Sequence, residues 1–405
     1  MSVCYFGTYE RNYPRNSIFL EGLRRNAVTV FECHVPLWEK TVTKGEKFGF
    51  SITFILRFFI AQFRLLFRYV FFIPKHDIII VGYIGHLDIF LAKMIAFFGR
   101  KKLVFNPLVS LFDTVIIDRG YFTTSSLKAR LMRFLDRSAC KMSDVVLLDT
   151  EAHIQYFRNE LDLPNINFKR LFVGADDRLF SPEQTEKPKN NFHVMFIGKF
   201  IPLHGIEKII ETAGILKSET DIIFTLVGLG QLRSEIDKKI NEEGLDNVRL
   251  MDWIPYNQLS QKMAEADLLL GIFGDSDKAR RVIPNKLFQA LAVGKPALTA
   301  DTPAIRELLT PDEHIFTSEP TPEKIAEKIR FIRTHENICH TVSINGHQIF
   351  QEKLSIEKLG AELKIILNEV QFNKYQELRS QQSQRGGRSR GPGNESTPLN
   401  PPKEN

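Results

Sequence analysis

The 405-residue sequence has little cysteine: Cys4, Cys33, Cys140 and Cys339 are scattered along it. No Cys-x-x-Cys pair and no matching histidine spacing accompanies them, which excludes a small zinc module and a disulfide-built domain. They read as reduced thiols of a cytosolic chain. Tryptophan is scarcer still, with 2 residues against 33 phenylalanines. The opening stretch MSVCYFGTYERNYPRNS has no charged segment followed by an apolar run, so it reads as a short strand and a loop rather than a signal peptide. Hydrophobic residues make up 43% and charged residues 25%. These are ordinary globular values, which exclude collagen-like, wholly disordered and multi-span membrane classes. The length favours two domains, at roughly 100–200 residues each. What is present in excess is positive charge, +6 net, which points to a polyanionic partner such as nucleic acid, acidic lipid or phosphate.

Short apolar runs alternate with amphipathic stretches along most of the chain. Val3–Phe6, Val28–Phe31, Ile78–Val81, Leu103–Phe105, Val145–Leu148 and Phe168–Val173 read as strands, with helical patterns between them. That alternation predicts parallel sheet with crossover helices. A polar, proline-containing stretch from Ser181 reads as a linker. A second series follows at His193–Ile197, Ile222–Val227, Val248–Met251, Leu268–Ile272 and Ala297–Thr299. The expected fold is therefore α/β, with two Rossmann-like, doubly wound domains facing a cleft, at residues 1–180 and 193–372 around a linker at 181–192. Ligands of such sheets bind beyond the carboxyl ends of the strands. Ser355–Val370 reads as the last helix. Residues 373–405 are rich in Gln, Arg, Gly, Ser, Pro and Asn, and have too few apolar residues to bury, so they read as a disordered tail.

The positive charge is localised. Lys47–Lys75, KFGFSITFILRFFIAQFRLLFRYVFFIPK, holds nine of the phenylalanines, five basic residues and no acidic one. The tail carries net +3, which leaves −2 for the remainder and removes the case for a nucleic-acid partner. On a helical wheel, Arg57, Arg64 and Arg68 fall in a narrow arc on an otherwise apolar surface. The longest uncharged run is well short of the roughly 18 residues that suggest a spanning helix. A thin basic stripe on a broad aromatic face suits docking at an anionic membrane surface. The competing reading is a buried domain helix that exposes only its arginines.

The second half carries the densest pattern. In Phe196-Ile-Gly-Lys-Phe-Ile-Pro-Leu-His-Gly205 a strand runs into a helix. Gly198 leaves the strand end open to a ligand, Lys199 follows it, and Gly205 opens a helix whose free N–H groups favour an anion. Gly228 and Gly230 of Leu226-Val-Gly-Leu-Gly230 repeat that logic one strand later. Trp253 and Ile254, after the third strand, are placed to lie along a nucleotide base. Ordinary βα turns, and a tryptophan at the core edge, are the competing readings. Pro284 then opens a helix with Asn285 and Lys286 on its first turn and Gln289 one turn on.

Taken in order, these passages resemble the retaining glycosyltransferases of family four, which have the GT-B fold. GTYERNYPRN, FVGADDRLFSP, IGKFIPLHG, LVGLG, DWIP and PNKLFQALAVGKPAL followed by DTPAIREL carry the resemblance across about residues 1–370. It implies a nucleoside-diphosphate sugar held by the second domain, with no cofactor, and an acceptor entering from the first. Lys199 stands where the family has an arginine that clamps the diphosphate, and His204 where a second basic residue shares that work. Gln289 replaces a glutamate that binds ribose, and the family's earlier glutamate falls on Arg281. The resemblance places Gly7 and His86 at the donor, with His86 reaching the sugar from the cleft edge or merely capping its helix. Asn106, Asp113, Arg119, Asp149 and Thr150 would line the acceptor side or serve structure. Asp275-Ser-Asp277 is an Asp-x-Asp of the kind that binds metal in a different glycosyltransferase fold, and here it reads as a solvated loop, with no metal.

The implied reaction moves a sugar, with retention, onto a lipid-linked or glycan acceptor at the cytoplasmic face of the cell membrane. Lys199, His86 and Lys286 are the catalytic candidates. A sugar-nucleotide epimerase or phosphorylase of the same fold, and a nucleotide-sugar-binding protein without turnover, are the alternatives. Replacing Arg57 and Arg64 together by Glu is expected to move the protein from membrane to soluble fractions. Unchanged fractionation would refute docking through this helix.

Overall fold

The computed structural model describes residues 1–38, 52–183 and 191–388, with side chains as far as Phe372. Two six-stranded, wholly parallel sheets organise it. The first contains β1 (Ser2–Gly7), β2 (Thr29–His34), β3 (Ile78–Val81), β4 (Lys102–Phe105), β5 (Val145–Leu148) and β6 (Phe168–Arg170) in the order β2-β1-β3-β4-β5-β6. The second contains β7 (Phe192–Ile197), β8 (Ile222–Val227), β9 (Val248–Met251), β10 (Leu268–Leu270), β11 (Ala297–Ala300) and β12 (Phe316–Ser318) in the order β12-β11-β10-β7-β8-β9. The strand order reverses next to β1 and next to β7, and such switch points open crevices at the carboxyl ends of the strands.

The strands are legible because parallel strands covered on both faces become continuous apolar runs, as in the fully buried Ile-Ile-Ile-Val of β3. Eleven of the twelve were expected within a few residues. The three-residue β12, Phe-Thr-Ser, offers neither a run nor an alternation.

Helices α1 (Pro14–Arg25), α2 (Ile52–Phe72), α3 (Asp88–Gly99), α4 (Leu127–Met142) and α5 (Glu151–Asn159) join the first set of strands. Side chains alternate across β1. Cys4 and Phe6 share a core with Leu65 of α2, Ala92 of α3, Ala139 of α4 and Phe157 of α5. Val3 and Tyr5 face the other way, into a core with Ile18 and Phe19 of α1. Thus α2 to α5 cover one face and α1 the other. The expected helix 47–75 is α2. Its end at Phe72 fits Pro74, which disfavours helical backbone in the residue before it, and residues 47–51 lie outside the described residues.

The second set carries α6 (Ile206–Ile215), α7 (Arg233–Glu243), α8 (Leu259–Ala264), α9 (Asp277–Arg281), α10 (Asn285–Ala292) and α11 (Pro303–Arg306). After it come α12 (Pro322–Thr334), α13 (Glu336–Ile349) and α14 (Ile356–Arg388). Two expectations need correction here. The last helix does not stay with the unit expected at 193–372. Leu359, Leu363 and Leu367 form a stripe four residues apart, buried in the core that includes Ile18 and Phe19 of α1. Asn26 Nδ2 donates to the Glu357 carbonyl at 2.9 Å, and Lys364 Nζ to the Asn26 carbonyl at 2.8 Å. Helix α14 also runs on to Arg388, past the expected start of disorder at 373. Its Glu, Lys, Gln, Leu and Arg are good helix formers. Residues 389–405 and 184–190, within the expected tail and linker, lie outside the described residues.

Where α1 meets α14 the backbones touch. A Cβ on Gly22 would stand 2.6 Å from the Ile356 carbonyl oxygen, and one on Gly360 would stand 2.2 Å from the Gly22 carbonyl carbon. Gly22→Ala and Gly360→Ala should each destabilise the protein by about 1–3 kcal/mol through overpacking, seen as a lower urea midpoint with an unchanged slope. Wild-type midpoints in both variants would show that the helices separate without cost.

Candidate functional site

The carboxyl edge of the second sheet is built by close backbone packing. Gly198, just after β7, donates its N–H to the Val227 carbonyl at 2.9 Å. Gly228 has φ +151°, and a Cβ there would lie 1.9 Å from the Gly198 carbonyl oxygen. Gly230 passes equally close to Phe200, and Gly205 to Phe273. These glycines bring three loops together. They act first on the shape of the edge, as the competing βα-turn reading held.

Into the space beside Gly198 project two side chains. A Cβ on Gly198 would stand 2.6 Å from Lys286 Nζ and 3.3 Å from His204 Cε1. Lys286, on the first turn of α10, is 9% exposed, and its ammonium lies 3.6 Å from the centre of the Phe196 ring. It has no hydrogen-bond partner among the described residues. Burial holds its pKa well below the ordinary lysine value. His204 Nδ1 donates to the Lys199 carbonyl, which can only accept, so the free nitrogen is Nε2. Burial, and then the charge of Lys286, pull the imidazole well below its usual pKa. Burial and Lys286 thus both oppose the positive charge expected of His204. Lys199 is exposed at the rim.

The remaining donor candidates are placed unequally. Gln289 is buried on α10, and its Nε2 donates to Tyr256 Oη at 3.4 Å. Trp253 is 55% exposed on the loop after β9, while Ile254 is half-buried against the core. Tyr13 of the first half is half-buried; burial pushes its phenol pKa up to about 12, with Asn285 acting in the opposite direction.

On the first sheet, Gly7 ends β1 with φ +133°, and a Cβ there would meet Asp88 Oδ2 at 2.7 Å. Asp88 accepts from the Thr8 N–H at 2.7 Å, from Thr8 Oγ1 at 2.9 Å and from Gln62 Nε2 at 2.6 Å. Burial pushes its carboxyl pKa up. His86 lies on the loop after β3, as expected, but it is enclosed rather than open to the cleft, and it does not cap α3. Its Nε2 is 3.3 Å from Asp136 Oδ1 without hydrogen-bond alignment, and its ring meets Phe105 edge-on.

The residues expected along the acceptor side are mostly tied up. Asn106 accepts from buried Arg15 at 2.6 Å, and Asp149 pairs with His153 at 2.8 Å. Arg119 lies 3.6 Å from Asp118. Asp113 and Thr150 bind the second half instead. Asp113 Oδ1 accepts from Arg281 at 2.9 Å, and Thr150 Oγ1 donates to the Arg281 carbonyl. The Arg281 guanidinium also lies 4.0 Å from the centre of the Tyr156 ring. Lys278 Nζ, one turn earlier on α9, donates to Thr114 Oγ1 at 2.9 Å and pairs with Asp118 at 3.3 Å. Glu307 accepts from the N–H groups of Glu151 and Ala152 at the start of α5, at 2.6 and 2.8 Å. Sequence reasoning missed this bridging role of Lys278, Asp118 and Glu307. Only the mixed charges of DSDKARR hinted at it. Asp275 pairs with Lys208, and Asp277 begins α9 behind the Ser276 cap. Arg57, Arg64 and Arg68 are exposed, Arg68 donating to the His34 carbonyl. Only Ala61 and Leu65 of α2 are buried, so the competing reading of a buried helix does not hold.

Comparisons with known proteins agree with this geometry. Residues 177–349 match the family described as Glycosyl transferases group 1. Among curated proteins, the amylovoran biosynthesis glycosyltransferase AmsK of Erwinia amylovora is 25% identical over 170 residues, 41% of this chain and 40% of that protein. The putative colanic acid biosynthesis glycosyl transferase WcaI of Escherichia coli K12 is 31% identical over 117 residues, 28% of each. The matched stretches thus span less than half the length of either relative. Sucrose-phosphate synthase from Thermosynechococcus elongatus superposes with a TM-score of 0.71 at 13% identity, covering 91% of this chain and 98% of that one. Anabaena HepE in complex with UDP and glucose gives 0.64 at 17% identity, covering 91% and 100%. Residues 177–349 form a glycosyl transferases group 1 domain, set in a chain that has the GT-B fold of those structures.

Proposed function

We propose that the protein transfers a sugar from a nucleoside-diphosphate sugar to an acceptor hydroxyl in polysaccharide biosynthesis. The observation that carries this reading is Lys286, a buried amine at the carboxyl edge of β7 with no hydrogen-bond or ion-pair partner among the described residues. A diphosphate entering beside Gly198 supplies the missing negative charge. The N-terminus of α10, which holds Lys286, adds its own preference for an anion. The relatives' names and the UDP and glucose bound by HepE support the donor class.

In this mechanism the bond from the anomeric carbon to the diphosphate breaks through an oxocarbenium-like state. Lys286, and Lys199 at the rim, stabilise the departing charge. The acceptor oxygen attacks on the same face and passes its proton to the leaving phosphate, so configuration is retained. No metal takes part: the Asp275 carboxylate pairs with Lys208, and Asp277 sits at a helix start. The acceptor is a lipid-linked or other glycan precursor, met at an anionic surface on the inner face of the membrane. A binding protein without turnover is the second reading, favoured by neutral His204, by Gln289 held at Tyr256 and by Arg281 held at Asp113.

A site awaiting an anion is unstable without one. Below its depressed pKa, Lys286 is charged in both states and its burial penalty is felt in full. Between that pKa and the ordinary value of about 10.5 the unfolded chain binds more protons, so its contribution to stability rises with pH. Lys286→Met should therefore stabilise the ligand-free protein by on the order of 1 kcal/mol and flatten its stability profile on the alkaline side. It should also abolish the thermal shift that a UDP-sugar gives the wild type. A variant no more stable than wild type, with an intact ligand shift, would remove Lys286 from the site.

Turnover is tested with radiolabelled nucleotide sugar and membrane lipids. Label should enter the lipid fraction, unaffected by EDTA, and Lys199→Ala should slow this by about 10²-fold or more. Free product without lipid labelling supports the epimerase or phosphorylase alternative. Tight binding without any product supports the second reading.

A further inference from the structure

One face of the first half is built against solvent in the wrong sense for a free surface. Helices α2, α3 and α4 lie side by side on the same side of the first sheet. The outward side of α2 exposes Phe63 at 71% and Phe72 at 68%. The outward side of α3 exposes Phe97 at 74% and Phe98 at 79%, and that of α4 exposes Leu127 at 82% and Phe134 at 60%. Apolar surface of this extent, on three adjoining helices, marks an interaction site.

The charges select the partner. The three helices carry nine Lys and Arg and only two carboxylates, Asp88 and Asp136, both buried. Arg137 of α4 pairs with Asp162 at 2.9 Å; for the other eight cations the three helices themselves offer no exposed carboxylate. A second copy docked face to face would oppose nine cations to nine. An anionic bilayer satisfies both features, taking the rings into the acyl boundary and the cations to lipid phosphates. Among the described residues no helix is long and apolar enough to cross a membrane. The helices therefore lie in the plane of the surface.

We propose that α2, α3 and α4 together form a docking platform for one leaflet of an anionic bilayer. This rests on the membrane reading above and deepens it, since the sequence pointed to α2 alone. In a parallel sheet each crossover helix starts at the carboxyl edge of the strands. With the platform flat on the leaflet, that edge, with Gly7 and the His86 loop, faces sideways along the surface. An acceptor anchored in the same leaflet then reaches the cleft laterally.

The test is co-sedimentation of the full chain with vesicles of phosphatidylcholine containing 30% phosphatidylglycerol. Phe97→Ser with Phe98→Ser changes only α3, and Leu127→Ser with Phe134→Ser changes only α4. All four sites are exposed, and circular dichroism checks folding. Each pair should lower partitioning by about tenfold, and pure phosphatidylcholine should bind the wild type weakly. Wild-type partitioning of both variants, alongside loss in Arg57→Glu with Arg64→Glu, would overturn the platform and leave α2 docking alone. A vesicle-free dimer broken by the same substitutions would also overturn it, in favour of a second copy. A parallel assay of donor turnover on a short soluble acceptor separates the readings. Failure there with platform-dependent binding intact refutes the transferase, not the platform.

Discussion

The second half is organised around a lysine that has been taken out of water and has no hydrogen-bond or ion-pair partner among the described residues. Lys286 is held over the Phe196 ring in room that exists because residue 198 has no side chain. An aromatic face repays only part of the hydration that a buried ammonium loses. The neighbouring His204 stays neutral because a second positive charge at that distance would add repulsion to desolvation. The glycines of the surrounding loops, the start of α10 and the tautomer of His204 all follow from keeping one cation available to an incoming anion. A stabilised core would place methionine or leucine there. The proposed binding site accounts for the lysine, since active sites commonly trade stability for function.

The second constraint runs between the sheets. The five residues of α9 reach across to the first half with two cations, and Asp113 and Asp118 are waiting in a largely buried setting. Glu307 reaches across elsewhere to the start of α5. Stripping one partner from a buried pair of this type costs about 3–5 kcal/mol, because the other charge is stranded. Separating the two halves here would require these charges to be solvated together. Arg281 illustrates the consequence for function. The family pattern suggests a sugar-contacting acid at that position, whereas here an arginine holds the halves together.

How much of this was legible follows from what each feature depends on. Parallel strands announce themselves because burial on both faces demands continuous apolar residues, so β3, β5 and β8 were read to the residue. The cleft motifs were legible as a series, because glycine, lysine and proline at strand ends mark turns and anion sites whatever the tertiary context. The partner of a helix was not: the stripe Leu359, Leu363, Leu367 says that α14 must be covered, but nothing local says that α1 covers it. Ionisation was not legible either. Lys286 and His204 look like two cations in sequence, and only their burial beside each other shows that the charge of each is disfavoured. Partners on the acceptor side were not legible where they lie far along the chain: Asn106 is taken by Arg15, at 91 residues, and Asp113 by Arg281, at 168.

The two populations of cations obey different electrostatics, and this separates their roles. The charges on α2, α3 and α4 are spread over a wide exposed surface, where ions at physiological strength screen interactions beyond about 8 Å. Attraction there is collective, adjustable by salt and indifferent to the identity of the phosphate. Lys286 acts from inside a low-dielectric pocket, where screening is weak and a single contact distinguishes a well-placed oxyanion from a displaced one. On the proposed function, holding a membrane loosely and a leaving diphosphate tightly would use both kinds: diffuse charge for the surface and a solitary buried lysine for the chemistry. The phenylalanines divide in the same way: Phe63, Phe97 and Phe98 lie exposed beside the first kind, and Phe196 lies buried beneath the second.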